Sequence, residues 1–168
     1  VDLALLRRCV GSTLDVGCGP GRLAATLAAE GRTVLGVDVV HEAVEQTRRR
    51  GADALLGDVF AAVPGEGTWD TVLLADGNIG IGGDPAALLT RAAELASPDG
   101  RIVVELAPRG VKAHTTWAHL VGDDMRSRPF RWAVLGLDDI AAVAEEAGLQ
   151  VREQVGLGGR WAAVRVRR

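Results

Sequence analysis

The chain has little cysteine, a single lysine, no tyrosine and no long apolar run. Its two cysteines, Cys9 and Cys18, match neither a disulfide framework nor a metal-ligand pair, which indicates a reducing compartment. No apolar run approaches membrane-spanning length, and no basic-then-apolar leader opens the chain. We therefore expect a cytoplasmic protein without a membrane partner.

Neither acidic nor basic residues are in large excess, because the formal net charge is only -3 over 168 residues. Such a balance gives no reason to expect a nucleic-acid partner. The chain is 48% hydrophobic and 24% charged, which is typical of a globular protein. Its length fits one domain, residues 1–168, and the oligomeric state cannot be read from these features.

Strand and helix patterns alternate along the chain. Short apolar runs predict strands, and segments with helical spacing and capping residues predict helices between them. Asp84 and Asp138 are the expected N-caps of the last two helices, and a turn is expected at residues 98–100. The pattern predicts an α/β fold, a Rossmann-like doubly wound, mostly parallel seven-stranded sheet with an antiparallel terminal strand and helices on both faces. The predicted strands are residues 13–16, 33–37, 54–56, 71–75, 101–106, 150–155 and 161–166, and the predicted helices are residues 20–30, 41–50, 85–97 and 139–147.

The most informative segment is Thr13-Leu14-Asp15-Val16-Gly17-Cys18-Gly19-Pro20-Gly21. A strand ends beside an acid, and a three-glycine loop then enters a helix. Glycines let the backbone approach a ligand closely, and the helix start presents unpaired N–H groups to an anionic ligand group. Asp15 adds a negative charge for a positive group, so the segment suits a zwitterionic ligand better than a phosphate.

Three more acids follow the next three predicted strands, at Asp38, Asp58 and Asp76. Parallel strands end at one edge of a sheet, where ligands bind in open α/β folds. An acid after each of four successive strands is more than turn chemistry explains.

From about residue 11 to residue 167 the chain resembles the class I S-adenosylmethionine (SAM)-dependent methyltransferases of the bacterial, small-molecule type. The resemblance rests on the glycine-rich segment, on the acids after the strands and on the turn Ser97-Pro98-Asp99-Gly100-Arg101. It implies SAM as the cofactor and methyl transfer to an O or N nucleophile of a small-molecule acceptor by in-line displacement. The stretch after the fourth strand lacks the Asn-Pro-Pro-aromatic signature of methylases that act on DNA or on protein glutamine.

The resemblance also assigns cofactor-binding residues. Asp15, Gly17, Gly19 and Gly21 would surround the methionine half of SAM, and Asp38 would accept both ribose hydroxyls. Val39 would pack on the adenine, Asp58 would accept from its amino group, and the backbone N–H of Val59 would reach a ring nitrogen. Asp76 would lie near the transferred methyl group.

Two alternatives stay open. Gly19-Pro20-Gly21-Arg22-Leu23-Ala24 also fits a dinucleotide motif, with Asp38 as the ribose acid of an NAD-dependent oxidoreductase. Against that assignment, Asp15 would then lie beside a pyrophosphate and Asp58 would have no role. A non-catalytic SAM-binding module would carry the same cofactor residues as an enzyme.

Residues 107–136 form a connection too long for a strand-to-helix loop, so we interpret them as a substrate-side insertion. Aromatic and arginine side chains there predict a planar or acidic acceptor, although a hairpin packed on the sheet is an equal alternative. The spacing of His114, His119, Asp123 and Asp124 in this segment matches no standard metal site, so no metal is expected. The candidate bases are His114 and His119, and the candidate substrate residues are Asn78, Trp117, Arg128 and Trp132.

Class I methyltransferases usually carry a helical segment before the glycine-rich motif that closes over the ligand. Only residues 1–10 precede the motif here, enough for one short helix. We therefore expect that an N-terminal lid is absent or truncated.

Overall fold

A computed structural model describes residues 2–120, 127–157 and 160–166, and side chains within 2–120 and 127–156. Strands and helices alternate as the sequence pattern predicts. The strands are β1 Thr13–Val16, β2 Val34–Asp38, β3 Asp53–Leu56, β4 Trp69–Leu74, β5 Ala96–Leu106, β6 His114–Ala118, β7 Phe130–Val134, β8 Val151–Leu157 and β9 Arg160–Val166. The helices are α1 Asp2–Leu6, α2 Arg22–Ala29, α3 His41–Arg49, α4 Pro85–Leu95 and α5 Ile140–Glu146, with a 3₁₀ turn at Asn78–Gly80.

Seven strands form one sheet in the order β3-β2-β1-β4-β5-β9-β8. The first five pair in parallel, and β9 runs antiparallel to both β5 and β8. The predicted mostly parallel sheet with a reversed terminal strand is thus confirmed, and the reversed strand lies one position in from the edge. Because β1 and β4 are neighbours, the strand order reverses between them, at the point where ligands bind in such folds.

The sheet is buried on both faces by two groups of apolar side chains. One group joins α4 and α5 to the sheet and includes Leu74, Leu89 and Ile102. The other joins α1 and α2 to the opposite face and includes Leu27 and Leu73. Burial on both faces explains why β4 ends in the unbroken apolar run Val72-Leu73-Leu74 and why all four residues of β1 are buried, Thr13 and Asp15 included.

Most segment ends differ from the sequence prediction by one or two residues, and two of the differences are larger or give a residue another role. Helix α4 ends at Leu95, and β5 already begins at Ala96, which pairs with Trp69 before the register shifts. Helix α5 begins after Asp139, not Asp138 as predicted. Asp138 instead accepts from the Arg109 guanidinium and from the backbone N–H of Gly110, at 2.7 and 2.8 Å. A long-range ion pair therefore takes the carboxylate that local patterning assigned to a helix cap.

The expected N-cap of α4 is confirmed. Asp84 accepts from the backbone N–H of Ala87 at 3.0 Å, and Pro85 occupies the first helical position. Because proline has no N–H to leave unpaired and its φ suits a helix, this pair fixes where α4 begins.

We expect the core to be sensitive to truncation at Leu89, which is buried in α4, and insensitive at Leu3, which is exposed in α1. Leu89→Ala should lower the free energy of unfolding by about 2–5 kcal/mol, because it removes transfer energy and leaves a cavity. The matched change Leu3→Ala should alter it by less than about 0.5 kcal/mol. Urea unfolding of both variants checks this, and equal losses would contradict the packing described.

Candidate functional site

The glycine loop between β1 and α2 is held tightly between two other segments. A Cβ on Gly21 would lie 2.7 Å from the backbone Cα of Thr47 in α3, and a Cβ on Gly17 would lie 2.7 Å from Nδ2 of Asn78. Both glycines have φ near +70 to +80°, where other residues are strained. Only glycine therefore fits at these two positions. Around Gly19, in contrast, a Cβ would meet open space, so this part of the loop can face a ligand.

Side chains from β2 and α3 fix the middle of the loop. Oδ2 of Asp38 accepts from the backbone N–H of Gly19 at 2.8 Å, and its Oδ1 accepts from Val40 N–H at 2.9 Å. The Thr47 hydroxyl donates to the Gly19 carbonyl at 2.9 Å. The loop conformation is thus set before any ligand arrives.

Asn78 fixes the start of the loop. Its amide Nδ2 donates to the carbonyls of Val16 and Gly17, at 2.8 and 2.9 Å. Asn78 was predicted from sequence to contact substrate. The structure gives its amide nitrogen a positioning role toward the loop, and substrate contact stays a prediction.

Asp15 is a buried carboxylate at the base of the loop, with 2% of its surface exposed. It accepts a backbone hydrogen bond from Ala24, while its Oδ2 has no partner among the described residues. Burial, together with the negative charges of Asp76 and Asp38, raises the pKa of Asp15 from 3.8 to about 7. A cationic ligand group would offset this cost, because opposite charge favours the ionised form.

Asp76 follows β4 and faces the start of α2. Its φ is +51°, and among the described residues it is the only non-glycine residue with a positive φ. Its carboxylate accepts from Nη2 of Arg22 at 2.8 and 3.1 Å, and Arg22 also pairs with Asp2 of α1. The first helix is thereby joined to the site. Left-handed backbone outside glycine concentrates at functional positions, so this conformation supports a role for Asp76.

The ends of β2 and β3 carry the residues predicted to hold adenine. Val39 has 65% of its surface exposed, which leaves an apolar face beside Asp38 for a flat ring. Oδ1 of Asp58 accepts from the backbone N–H of Phe60 at 2.9 Å, and Val59 is buried. The structure therefore brings all three to the same sheet edge as the glycine loop.

Residues 107–136 contain an antiparallel hairpin of β6 and β7, the alternative that sequence left open. The hairpin packs on the segment after the 3₁₀ turn through an Ile81–Trp132 bridge and a 3.0 Å bond from the Thr115 hydroxyl to the Gly83 carbonyl. Trp117 is 64% exposed, with the Arg131 guanidinium 5.7 Å from its ring centre. Trp117 is therefore not a core residue.

The other predicted residues of the insertion differ in placement. Trp132 is half-buried, and Arg128 is exposed. His114 is exposed and His119 half-buried; Nδ1 of His114 lies 3.1 Å from the Lys112 carbonyl. Neither histidine is placed at the glycine loop by any bond described above, so their role as bases stays a prediction.

Glu105 was missed by the sequence analysis. It is the last but one residue of β5 and has 8% of its surface exposed, and its Oε2 accepts from the backbone N–H of Asp76 at 2.9 Å. Sequence offers only a faint signal, an acid within the apolar run of residues 102–106. Arg22 was missed as well, because nothing local predicts its pairing with Asp76.

The part of the chain that the structure describes contains neither a metal-binding cluster nor a membrane-spanning helix. Within it, no three His, Cys, Asp or Glu side chains are grouped so as to hold a metal ion. Asp123 and Asp124, considered above with His114 and His119, lie outside it. Within the same residues, every helix is too short or too polar to cross a bilayer.

The sheet order, the glycine loop and the strand-end carboxylates define a nucleotide-type site on a Rossmann-like fold. A family model described as a methyltransferase domain matches residues 2–154, and the chain belongs to this family. The sequence resemblance is thereby confirmed, and the family match favours it over the dinucleotide alternative.

Individual relatives agree with this family. The chain is 30% identical over 159 residues to a ubiquinone biosynthesis O-methyltransferase of Thiobacillus denitrificans, covering 86% of this chain and 66% of that protein. It is 36% identical over 102 residues to an uncharacterized transposon protein of Streptomyces fradiae, covering 55% and 29%. Across the curated relatives compared, the chain spans about a third to two thirds of their length.

Solved structures confirm the fold. A SAM-dependent methyltransferase of Bacteroides fragilis, crystallised with S-adenosylhomocysteine, aligns with a TM-score of 0.83 at 23% identity, covering 98% of this chain and 76% of that one. The glycopeptide N-methyltransferase MtfA, complexed with SAM, aligns with a TM-score of 0.75 at 17% identity, covering 99% and 86%. At these identities the likeness concerns the fold.

Asp15 predicts a pH dependence of stability without ligand. Its folded-state pKa is raised to about 7, so the folded protein holds this proton more tightly than the unfolded chain, where the pKa is 3.8. The contribution to stability is therefore present below about pH 4, declines as pH rises from about 4 to about 7, and is flat above. The full loss is on the order of 4 kcal/mol.

Asp15→Asn keeps an acceptor for Ala24 N–H and removes the titration. We expect the stability difference, variant minus wild type, to grow in favour of the variant between pH 4 and 7. Urea unfolding at several pH values measures it. Asp53→Asn, at an exposed position at the start of β3, is the matched control. A pH-independent difference for Asp15→Asn would show that Asp15 is not a buried carboxylate with a raised pKa.

Proposed function

We propose that this protein binds SAM at the carboxyl end of the sheet and transfers its methyl group to an oxygen or nitrogen nucleophile of a small molecule. The observation that carries the proposal is the buried Oδ2 of Asp15 beside the glycine loop, which has no hydrogen-bond partner among the residues that the structure describes. Asp38 and Asp76 add negative charge at the same place. Carboxylates gathered there suit a ligand with cationic groups and oppose a pyrophosphate.

Asp38 is the proposed ribose ligand. Both of its oxygens already accept a backbone N–H, from Gly19 and from Val40. An ionised carboxylate has about four acceptor positions, so each oxygen can still accept a hydroxyl hydrogen. The two backbone bonds also hold the carboxylate in one orientation, which lowers the entropic cost of binding a diol.

The other assignments follow from position. Val39 offers its exposed face to adenine, with Asp58 and the backbone of Val59 at the ring edge. The open space at Gly19 admits the middle of the ligand. Asp15 would face the amino group of the methionine half, where a cation restores its ionised state.

SAM, when bound, supplies a methyl group on a positively charged sulfur. The chain then has to align the acceptor with that methyl group, exclude water and accept a proton from the nucleophile. Asp76 and Glu105 are joined by a hydrogen bond at the ends of β4 and β5, so they fix the floor of the site on the acceptor side. The carboxylates there would also favour a positive reacting centre.

The relatives support both kinds of acceptor atom. A ubiquinone biosynthesis O-methyltransferase and a glycopeptide N-methyltransferase are both similar to this chain, so we propose O or N transfer without a choice between them. A SAM-binding protein without turnover is the other outcome of the tests below.

Calorimetric titration with SAM, S-adenosylhomocysteine and NAD tests the cofactor. We expect the first two to bind and NAD to show no heat. Asp38→Ala should weaken S-adenosylhomocysteine binding by about 1–3 kcal/mol, the scale of a charge-assisted hydrogen bond left unmade. Asp53→Ala, which removes an exposed carboxylate at the opposite end of β3, should bind like the wild type.

Circular dichroism of Asp38→Ala must show an intact fold, because Asp38 also holds Gly19. Unchanged affinity in a folded Asp38→Ala variant would remove Asp38 from the site, and binding of NAD in place of SAM would overturn the proposal. Binding of SAM without transfer to phenols, amines or carboxylic acids would favour the non-catalytic module.

A further inference from the structure

A cavity of about 270 Å³ lies between the ends of β4 and β5 and the hairpin strand β7. Its lining includes Gly77, which follows Asp76 in the chain, and Glu105, which accepts from the Asp76 N–H, so the cavity adjoins the residue expected near the transferred methyl group. Its volume is just below the range of typical ligand pockets, which indicates a compact occupant. The residues that matter for its chemistry are Gly77, Ile79, Glu105, Leu106, Trp132 and Leu135.

Glu105 is the acidic side chain of this cavity. Its Oε2 accepts from the backbone N–H of Asp76, so the carboxylate is fixed between the cavity and the proposed cofactor site. The remaining walls named above are apolar or aromatic. A carboxylate in such surroundings attracts hydrogen-bond donors and cations, and it repels anions.

Trp132 gives the cavity one aromatic wall. The Phe130 ring meets the indole edge-on, with ring centres 6.1 Å apart. The backbone of Trp132 forms a bridge to that of Ile81. A Cβ on Gly80 would lie 2.7 Å from Nε1 of Trp132, so the indole is closely packed on that side. A fixed indole face favours flat or cationic groups.

We propose that this cavity is the acceptor site and that Glu105 accepts a hydrogen bond there from the N–H or O–H of a compact, otherwise apolar amine or phenol. Carboxylic acids do not bind, because their negative charge is repelled by that of Glu105. The inference rests on the proposed function and specifies its acceptor class. It replaces the acidic acceptor that the arginines of the insertion suggested. Trp117 and Arg128 do not line this cavity, so their predicted substrate role has no support from it.

Binding of three single-ring probes of similar size, benzylamine, phenol and benzoate, tests the proposal without turnover. Ligand-observed NMR is recorded with the full chain, with and without S-adenosylhomocysteine. We expect benzylamine and phenol to bind and benzoate to give no signal. Glu105→Gln keeps an acceptor for the Asp76 N–H but loses the negative charge. It should therefore lower the affinity for benzylamine at least tenfold and the affinity for phenol by less.

Two further variants keep the test decisive. Ala107→Leu narrows the cavity from another wall without changing Glu105 and should reduce binding of both protic probes. Glu94→Gln, at the far end of α4, removes a carboxylate outside the site and should bind all probes like the wild type. If Glu105→Gln fails to fold, Ala107→Leu still decides whether the probes occupy this cavity.

The proposal is overturned if benzoate binds as well as benzylamine, if Ala107→Leu leaves probe binding unchanged, or if no probe binds. Failure of the proposed function looks different, because S-adenosylhomocysteine would then show no calorimetric heat whatever the probes do. Protic probes that bind while S-adenosylhomocysteine does not would support an amine or phenol site and reject the methyltransferase function.

Discussion

The fixed conformation of the loop between β1 and α2 is the constraint on which the rest of the site depends. Gly21 lies against the backbone of Thr47, so any side chain there would separate α2 from α3. Asn78 holds the loop carbonyls from the β4 side, and Asp38 holds the Gly19 N–H from the β2 side. Three segments far apart in sequence therefore meet at one loop. A ligand that binds there meets a loop whose backbone conformation is already fixed, which lowers the entropic cost of binding.

This arrangement has an electrostatic cost. Asp15 is buried, with one oxygen unpaired within the described part of the chain, and it is close enough to Asp38 and Asp76 that their charges oppose its ionisation. Arg22 offsets part of the charge by pairing with Asp76 near the surface, where an ion pair contributes little. The site is therefore destabilising without ligand, as is common where function requires a buried charge. A cationic ligand gains affinity from the same imbalance.

The fold could be predicted largely from sequence because its signals are local. Buried parallel strands read as apolar runs, glycines mark a loop that only glycine fits, and Asp84 with Pro85 marks a helix start. The errors arose where tertiary contacts compete with local ones. Asp138 could cap α5 but pairs with Arg109 across 29 residues, and Ala96 joins the sheet because Trp69 is beside it.

The candidate site was predictable only in its cofactor half. The acids at or near the carboxyl ends of β1 to β4 follow a rule that can be applied to a sequence, although Asp15 lies within β1 and Asp38 is the last residue of β2. Glu105 escaped because it lies inside an apolar run, and only the packing of β5 beside β4 shows that its carboxylate reaches the Asp76 backbone. Arg22 escaped for the same reason, since its partners lie 20 and 54 residues away.

The short segment after β4 connects the two halves of the site. Asn78 at its start holds the glycine loop, while Ile81 and Gly83 at its end hold the hairpin that carries Trp132. Between them, a Cβ on Gly80 would come within 2.7 Å of the indole, so the segment packs closely against Trp132. The hairpin cannot shift far without disturbing residues that are hydrogen-bonded to the loop. The acceptor side and the glycine loop are therefore linked through residues 78–83, a segment that is hydrogen-bonded to the loop at one end and to the hairpin at the other.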